Sequence, residues 1–140
     1  MTKLKELDFM LQLNRKINTL KLFAPSSVGL LGEEDSLSIM AMPGGAETVY
    51  MDGCRDKDYQ IQVNAKSRDQ MQCLNALTLI YQTLENLPDL PSVNGSYEFN
   101  EVETKSLPSL VMQDEQGFFV WALSISAKIT IYEGVVLNGA

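Results

Sequence analysis

The chain has 140 residues, of which 45% are hydrophobic and 21% charged, a length and composition typical of one soluble globular domain. Its net charge of −7 argues against a binder of nucleic acid or anionic membranes, because phosphate contacts require clustered Lys and Arg. The sequence has no histidine, no segment typical of a signal peptide and no apolar run near the roughly 18 residues of a membrane span.

The charge is unevenly distributed along the chain. Residues 1–28 contain five basic and two acidic residues, a net of +3, so the other 112 residues carry −10 of the total of −7. Such a polarity favours head-to-tail docking on a second copy or on a partner, with plain solvation of both regions as the alternative.

The N-terminal part of the chain predicts a helix followed by three strands. Apolar residues recur at near-helical spacing from Lys3 to Phe23, and Pro25 ends the pattern. A connector with three acidic residues follows. Period-two alternation then predicts three strands separated by glycine-containing turns: Ser36–Met42, Glu47–Met51 and Tyr59–Lys66.

A second helix is predicted directly after the third strand. Ser67 and Gln70 have the spacing of a capping box, and Asp69 suits the positive end of the helix dipole. An apolar stripe then runs from Cys73 to Leu84, and two Leu-Pro pairs end the helix.

The C-terminal part predicts two or three further strands. Ser96–Lys105 is a weak candidate, and Leu107–Met112 is a second one that Pro108 interrupts. Phe118–Tyr132 is an unusually long β run with a continuous apolar face. This order predicts a single α+β domain over residues 1–140, in which a mostly antiparallel or mixed sheet carries two amphipathic helices on one face.

None of the polar clusters has the pattern of a catalytic, metal or cofactor site. The glycine-rich Pro43–Ala46 lacks the Lys and Ser/Thr of a phosphate loop. The carboxylates around Gly53 miss the spacing of a calcium loop and are interleaved with Arg55 and Lys57. The two cysteines lack metal or C-x-x-C spacing, which fits a reducing, cytosolic origin. We therefore expect no enzyme, no cofactor and no metal.

The final β run instead favours an assembly subunit. Its length exceeds the average strand of about five or six residues. An apolar face and a free edge would make it a template for pairing with another chain.

Several segments resemble one family of phage proteins. They are "VYMDGCRDKDY", "QVNAKSRDQ" and the helix that ends in "NLPDLP", around the block Thr48–Leu87. The segments "LDFMLQLNRKIN" and "VWALSISAKITIY" fit the same layout. In this order and spacing, the chain is similar to the minor capsid proteins of long-tailed bacteriophages, which are grouped with the tail-terminator proteins.

The resemblance implies a virion structural protein and not an enzyme. Tail terminators are similar in fold to the predicted domain and assemble as hexameric rings on the end of the finished tail tube. The ring stops polymerisation of the major tail tube protein and presents a surface to the head connector or completion protein. DNA later passes through it without sequence-specific binding. The implied location is the tail end at the head–tail joint of the virion, with synthesis in the host bacterial cytoplasm.

Two other functions stay open at this point. Another head–tail joining or head-completion protein would share fold and partners, and a small α+β ligand-binding domain or enzyme is the alternative from another class. In the ring interpretation, seven charged residues are candidates for the subunit interface, the first five on an exposed loop and the last two as their counter-charges: Asp52, Arg55, Asp56, Lys57, Asp58, Lys66 and Arg68. The alternative is that they are ordinary surface charges that contribute about 0–1 kcal/mol each.

Overall fold

A computed structural model describes residues 5–136, with two helices and eight strands in that range. The elements in chain order are β1 (Lys5–Glu6), α1 (Phe9–Asn18), β2 (Ser26–Val28), β3 (Ser36–Ala41), β4 (Glu47–Val49), β5 (Arg55–Ser67), α2 (Gln70–Glu85), β6 (Tyr97–Gln113), β7 (Phe119–Ile131) and β8 (Val135–Val136).

The main sheet has the strand order β2-β3-β5-β7-β6, and β4 pairs with the first part of β5. The β2–β3 pair is parallel, and the other pairs of this sheet are antiparallel. Strands β1 and β8 form a separate parallel pair. The predicted α+β class with a mostly antiparallel, mixed sheet is confirmed.

Both helices pack on the same face of the main sheet. The apolar positions of β3, β5 and β7 pair with one another across the strands, as in the row Ile39–Val63–Leu123, and all three residues are fully buried. The predicted stripe of α2 lies on this face, with Cys73, Leu77, Ile80 and Leu84 buried as expected.

The aromatic ring of Phe9 fixes the start of α1 against the sheet. It makes edge-to-face contacts with Tyr59 and Tyr97, at centroid distances of 5.6 and 5.3 Å. Edge-to-face geometry is the arrangement that the ring quadrupoles favour. One aromatic cluster therefore joins α1, β5 and β6.

Helix α1 is shorter at both ends than the sequence predicts. The predicted start at Lys3 lies outside the described residues, and the helix begins only at Phe9. At the other end, the Thr19 hydroxyl donates to the Lys16 carbonyl at 2.6 Å, and Lys21 adopts a left-handed conformation with φ of 53°. A left-handed residue ends a helix, so Pro25 is not what stops α1.

The predicted capping box of α2 is also wrong. Ser67 is the last residue of β5, and the N-cap is Asp69, whose carboxylate accepts from the Met71 amide at 3.0 Å. The Ser67 hydroxyl accepts from the Asp69 amide and donates to the Gln72 side chain, so it supports the cap from outside the helix.

Three corrections concern the strands. The two weak candidates after α2 are one continuous strand, β6, and its register shifts around Pro108. The long run β7 lies in the sheet interior between β5 and β6, so it is not the free edge that its length suggested. Strand β2 lies in the predicted connector, because a three-residue strand has too few positions to show alternation.

Candidate interaction surfaces

The seven charged candidates occupy two opposite ends of β5. Only Asp52 lies in a turn, where its carboxylate accepts from the Cys54 amide at 3.0 Å. The next four, Arg55 to Asp58, belong to β5 and are half-buried, so the predicted exposed loop is wrong for them. Lys66 and Arg68 lie at the other end, about 30 Å away at ~3.3 Å per strand residue.

The first end of β5 is held by contacts within the chain. The Asp56 carboxylate accepts from the Tyr50 hydroxyl at 2.6 Å and from the Thr130 hydroxyl at 2.7 Å. These two hydrogen bonds, with the one from Tyr50 as the larger cause, lower the pKa of Asp56. Arg55 pairs with Glu47 at 3.6 Å and donates to the Val135 carbonyl at 3.5 Å. Both charges therefore stabilise the β4–β5 hairpin itself.

At the second end, two cations enclose one aromatic ring. Phe118 is buried, with the Lys66 ammonium 5.0 Å and the Arg68 guanidinium 4.6 Å from its ring centroid. Both distances are within the range of cation–π attraction. Lys66 also donates to the Gly32 carbonyl at 3.1 Å and pairs with Asp114 at 3.7 Å.

Asp114 organises the turn before β7. Its carboxylate accepts from the amides of Phe118 and Gln116, both at 2.9 Å. The pKa of Asp114 is lowered, chiefly by the Phe118 amide and further by Gln116 and Lys66, against a smaller opposing effect of burial. Within this cluster Lys66 already has its partners, while Arg68 is exposed beside the ring.

A surface that the charged candidates do not include is the outer edge of β6. Its second half, Leu107–Met112, carries four exposed apolar side chains: Leu107 (64% exposed), Leu110 (48%), Val111 (56%) and Met112 (51%). No charged residue lies between Lys105 and Asp114. Pro108 fits an edge position, because it cannot donate to a sheet ladder. An uncharged segment with a proline that fits an edge strand can be recognised from the sequence alone, and it indicates an apolar edge.

The β4–β5 hairpin exposes a second apolar group at the opposite corner of the sheet. It consists of Val49, Tyr50 and Met51, all exposed. Strand β4 pairs with β5 at the Arg55 end of β5. Leu110 of β6 lies in the same row across the sheet as Ala65, near the other end of β5. A single subunit thus presents separate apolar surfaces on different edges.

The face of the sheet away from the helices is polar, and it is open in the sense that neither helix covers it, although Ser38, Asn64 and Ser126 on this face are buried by their neighbours. Gln60 donates to the Ser126 hydroxyl at 2.9 Å, Gln62 donates to the Asn64 side chain at 2.7 Å, and Asn64 donates to Ser38 at 3.4 Å. The two lysines at its ends are paired, Lys66 with Asp114 and Lys128 with Glu101 at 3.3 Å. This open polar face therefore has amides and hydroxyls at its centre and no cluster of free cations among the residues just described.

Metal binding, membrane insertion and nucleophilic reactivity each require particular features of the described residues. Within residues 5–136, no group of three or more His, Cys, Asp or Glu side chains has metal-binding geometry, and no helix is long and apolar enough to cross a membrane. Burial, with smaller contributions from Asp35 and Asp69, raises the pKa of the Cys73 thiol to about 11. A thiol with that pKa is protonated at neutral pH and is a poor nucleophile.

Comparison with known proteins identifies the family. No curated protein matches the chain. The family model described as bacteriophage tail terminator protein matches residues 12–131, from the first turn of α1 to the last residue of β7. That span includes α1 from its fourth residue onward, all of α2 and the entire six-stranded sheet that carries the surfaces above. The chain belongs to the bacteriophage tail terminator family.

Proposed function

We propose that this chain caps the tail tube as a ring of copies, stops its polymerisation and presents the head-joining surface. The observation that carries the proposal is the family match over residues 12–131, which makes the chain a phage virion component of a structural family. The fold adds that each subunit has two exposed apolar surfaces on different edges of one sheet. A contact between unlike surfaces of successive copies generates a ring when the rotation closes.

We also propose that the open polar face lines the channel through which DNA passes. Non-specific DNA binding needs several unpaired Lys or Arg contacts to phosphates. On this face, Lys66 and Lys128 are both held by carboxylates of the same chain. The amides and hydroxyls at its centre bond to one another in pairs. Such a surface is suited to DNA that slides through, and not to DNA that is held or read.

The capping function is tested by polymerising the major tail tube protein in vitro with and without this chain. Electron microscopy gives the distribution of tube lengths. We expect shorter tubes as the ratio of this chain to tube protein rises, with ring-shaped density at one end. Tube lengths that stay unchanged, with bare ends at saturating protein, would contradict the proposal. Heat-denatured protein at the same concentration is the control.

The channel proposal has a separate readout. Fluorescence anisotropy with short duplex DNA at low salt should show weak binding for the wild type and for the assembled ring. The double variant Glu101→Gln with Asp114→Asn frees both lysines of the open polar face, and we expect it to bind DNA about tenfold more tightly, because two more cations can contact phosphates. Strong DNA binding by the wild-type ring would contradict a sliding surface.

A further inference from the structure

We propose that the β6 edge of one copy docks on the β2/α1 edge of the next copy, head to tail. The β6 edge is the outer side of β6, from Glu98 to Met112, and the β2/α1 edge comprises β2 with the C-terminal half of α1. The inference rests on the proposed ring function, because it names the surfaces through which that ring would close.

The two edges are opposite ends of one row across the sheet. Ser26 of β2 pairs with Leu37, Leu37 with Ala65, Ala65 with Trp121, and Trp121 with Leu110 of β6. A second copy placed beside the first in the same orientation therefore brings its β2/α1 edge next to the apolar half of β6, at the same position along the strands. That half is covered by nothing within the described chain, as its four exposed side chains show.

The charges of the two edges are opposite. Strand β6 carries Glu98, Glu101 and Glu103 against a single lysine, Lys105. The β2/α1 edge carries Arg15, Lys16 and Lys21, and no acidic residue occurs between Phe9 and Gly32. Opposite charges on opposite edges of one chain attract the next copy in the same orientation and disfavour β6 against β6.

The β2/α1 edge also matches β6 in apolar character. Val28 is 48% exposed and Leu30 is 82% exposed at this edge. The side chain of Asn18 accepts from the Ser26 amide at 2.7 Å and donates to its carbonyl at 3.0 Å. The outward N–H and C=O of Ser26 are thereby satisfied and cannot pair with a strand of another copy, which favours a contact through side chains at this position.

The geometry of β6 sets the limits of the contact. Pro108 has no amide proton, and the register with β7 shifts between Ser106 and Ser109. A contact that depends on side chains tolerates these irregularities, whereas a long intermolecular ladder does not. We therefore place the apolar contact at Leu107–Met112 against Val28 and Leu30.

Paired cysteines test the orientation. In a Cys54→Ser background, Val28→Cys and Leu110→Cys are placed on one chain, and a short bis-maleimide is added with and without tail tubes. Four strand spacings of about 4.8 Å separate β2 from β6, roughly 19 Å. A disulfide, which needs Cα atoms within about 7 Å, cannot form inside one chain, and the bis-maleimide is chosen with a spacer too short to span that separation. Head-to-tail docking predicts a ladder of covalent dimers, trimers and larger species on a denaturing gel.

The controls separate the alternatives. A 1:1 mixture of the two single-cysteine variants should stop at dimers. Leu79→Cys with Leu110→Cys should give no ladder, since Leu79 is exposed on α2 and belongs to neither of the two edges. Dimers from Leu110→Cys alone would overturn the proposal in favour of a two-fold β6–β6 contact. No ladder in either condition would also overturn it. Tube capping by wild-type protein in the same preparation shows whether the ring function survives that result, and a ladder without capping would instead contradict the proposed function.

Discussion

Asp8 and Ser96, which are 88 residues apart in sequence, exchange two hydrogen bonds. The Asp8 amide donates to the Ser96 hydroxyl at 3.2 Å, and that hydroxyl donates to the Asp8 carboxylate at 2.9 Å. The same carboxylate accepts from Ser92, from the amides of Val93 and Asn94, and from Gln12. Asp8 thus ties the start of α1 to the loop before β6.

Replacing Asp8 with Asn should destabilise the protein by about 1–3 kcal/mol, because a buried acceptor of several hydrogen bonds is lost. The side-chain NH2 group of Asn would also direct a hydrogen-bond donor at groups that are themselves donors. Urea unfolding followed by circular dichroism measures the change. Glu115→Gln, an exposed substitution of the same kind, is the matched control and should stay within about 0.5 kcal/mol of wild type. Equal urea midpoints for the two variants would contradict the structural role of Asp8.

The same carboxylate makes stability depend on pH. Burial alone would raise the pKa of Asp8, but the hydrogen bonds from Ser92, Ser96, Val93 and Asn94 together lower it below the ordinary 3.8. Since the folded pKa is below the unfolded one, the contribution is complete above pH about 4 and is lost as the pH falls through the folded pKa. The difference in unfolding free energy between wild type and Asp8→Asn should therefore shrink below pH about 4. A difference that is constant with pH would contradict the lowered pKa.

Gly44 and Gly45 are neighbours that should respond very differently to alanine. Both have positive φ, 98° and 89°, so each substitution costs about 1–2 kcal/mol in backbone strain. A Cβ at Gly44 meets open space, whereas one at Gly45 overlaps the Asp58 carbonyl oxygen of β5. Thermal unfolding should show a clearly larger loss for Gly45→Ala. Similar losses for the two variants would mean that the 43–46 turn is not packed against β5 in this way.

The two cysteines should differ in reactivity in the native protein. Cys73 is buried with a pKa of about 11, and Cys54 is half-buried in the β4–β5 hairpin. Labelling with iodoacetamide at neutral pH should give one adduct, at Cys54, and a second only after unfolding in urea. Mass spectrometry of the digested protein assigns the sites. Rapid native labelling of Cys73 would contradict its burial between α2 and the sheet.

The seven charged candidates still await a test of assembly. Asp52 and Arg68 are exposed at opposite ends of β5 and do not meet within one chain. If they meet between copies, Asp52→Lys and Arg68→Glu should each weaken ring formation at low salt, and the double variant should restore it. Native mass spectrometry measures the ring fraction. If both single variants assemble like the wild type, Asp52 and Arg68 are ordinary solvated surface residues and not interface residues.

The sequence predicts an element well where one periodicity runs without interruption. Strands β3, β5 and β7 and the stripe of α2 have such patterns, and the structure contains all of them. Pro108 predicts a division of β6 in two, because proline is excluded from interior strands, yet an edge strand needs no donor on its outer side. The place of β7 between β5 and β6 depends on pairing partners, which alternation within one segment does not encode.

The candidate surfaces were less predictable than the fold. The run of charges in residues 52–58 predicts a loop, yet β5 begins at Arg55, and no apolar alternation marks residues 55–58 as strand. The ends of α1 depend on distant partners, since Asp8 binds the 92–96 loop and Asn18 binds Ser26. The apolar half of β6 carried a usable signal in its lack of charge, but its exposure followed only from its edge position.

The most direct test of the central claim is to deplete this chain during phage assembly and to measure tail lengths by electron microscopy. A subunit that caps the tail tube predicts tails of excess and variable length, rescued by wild-type protein. Tails of normal length that fail to join heads would contradict the claim and indicate another head–tail joining protein.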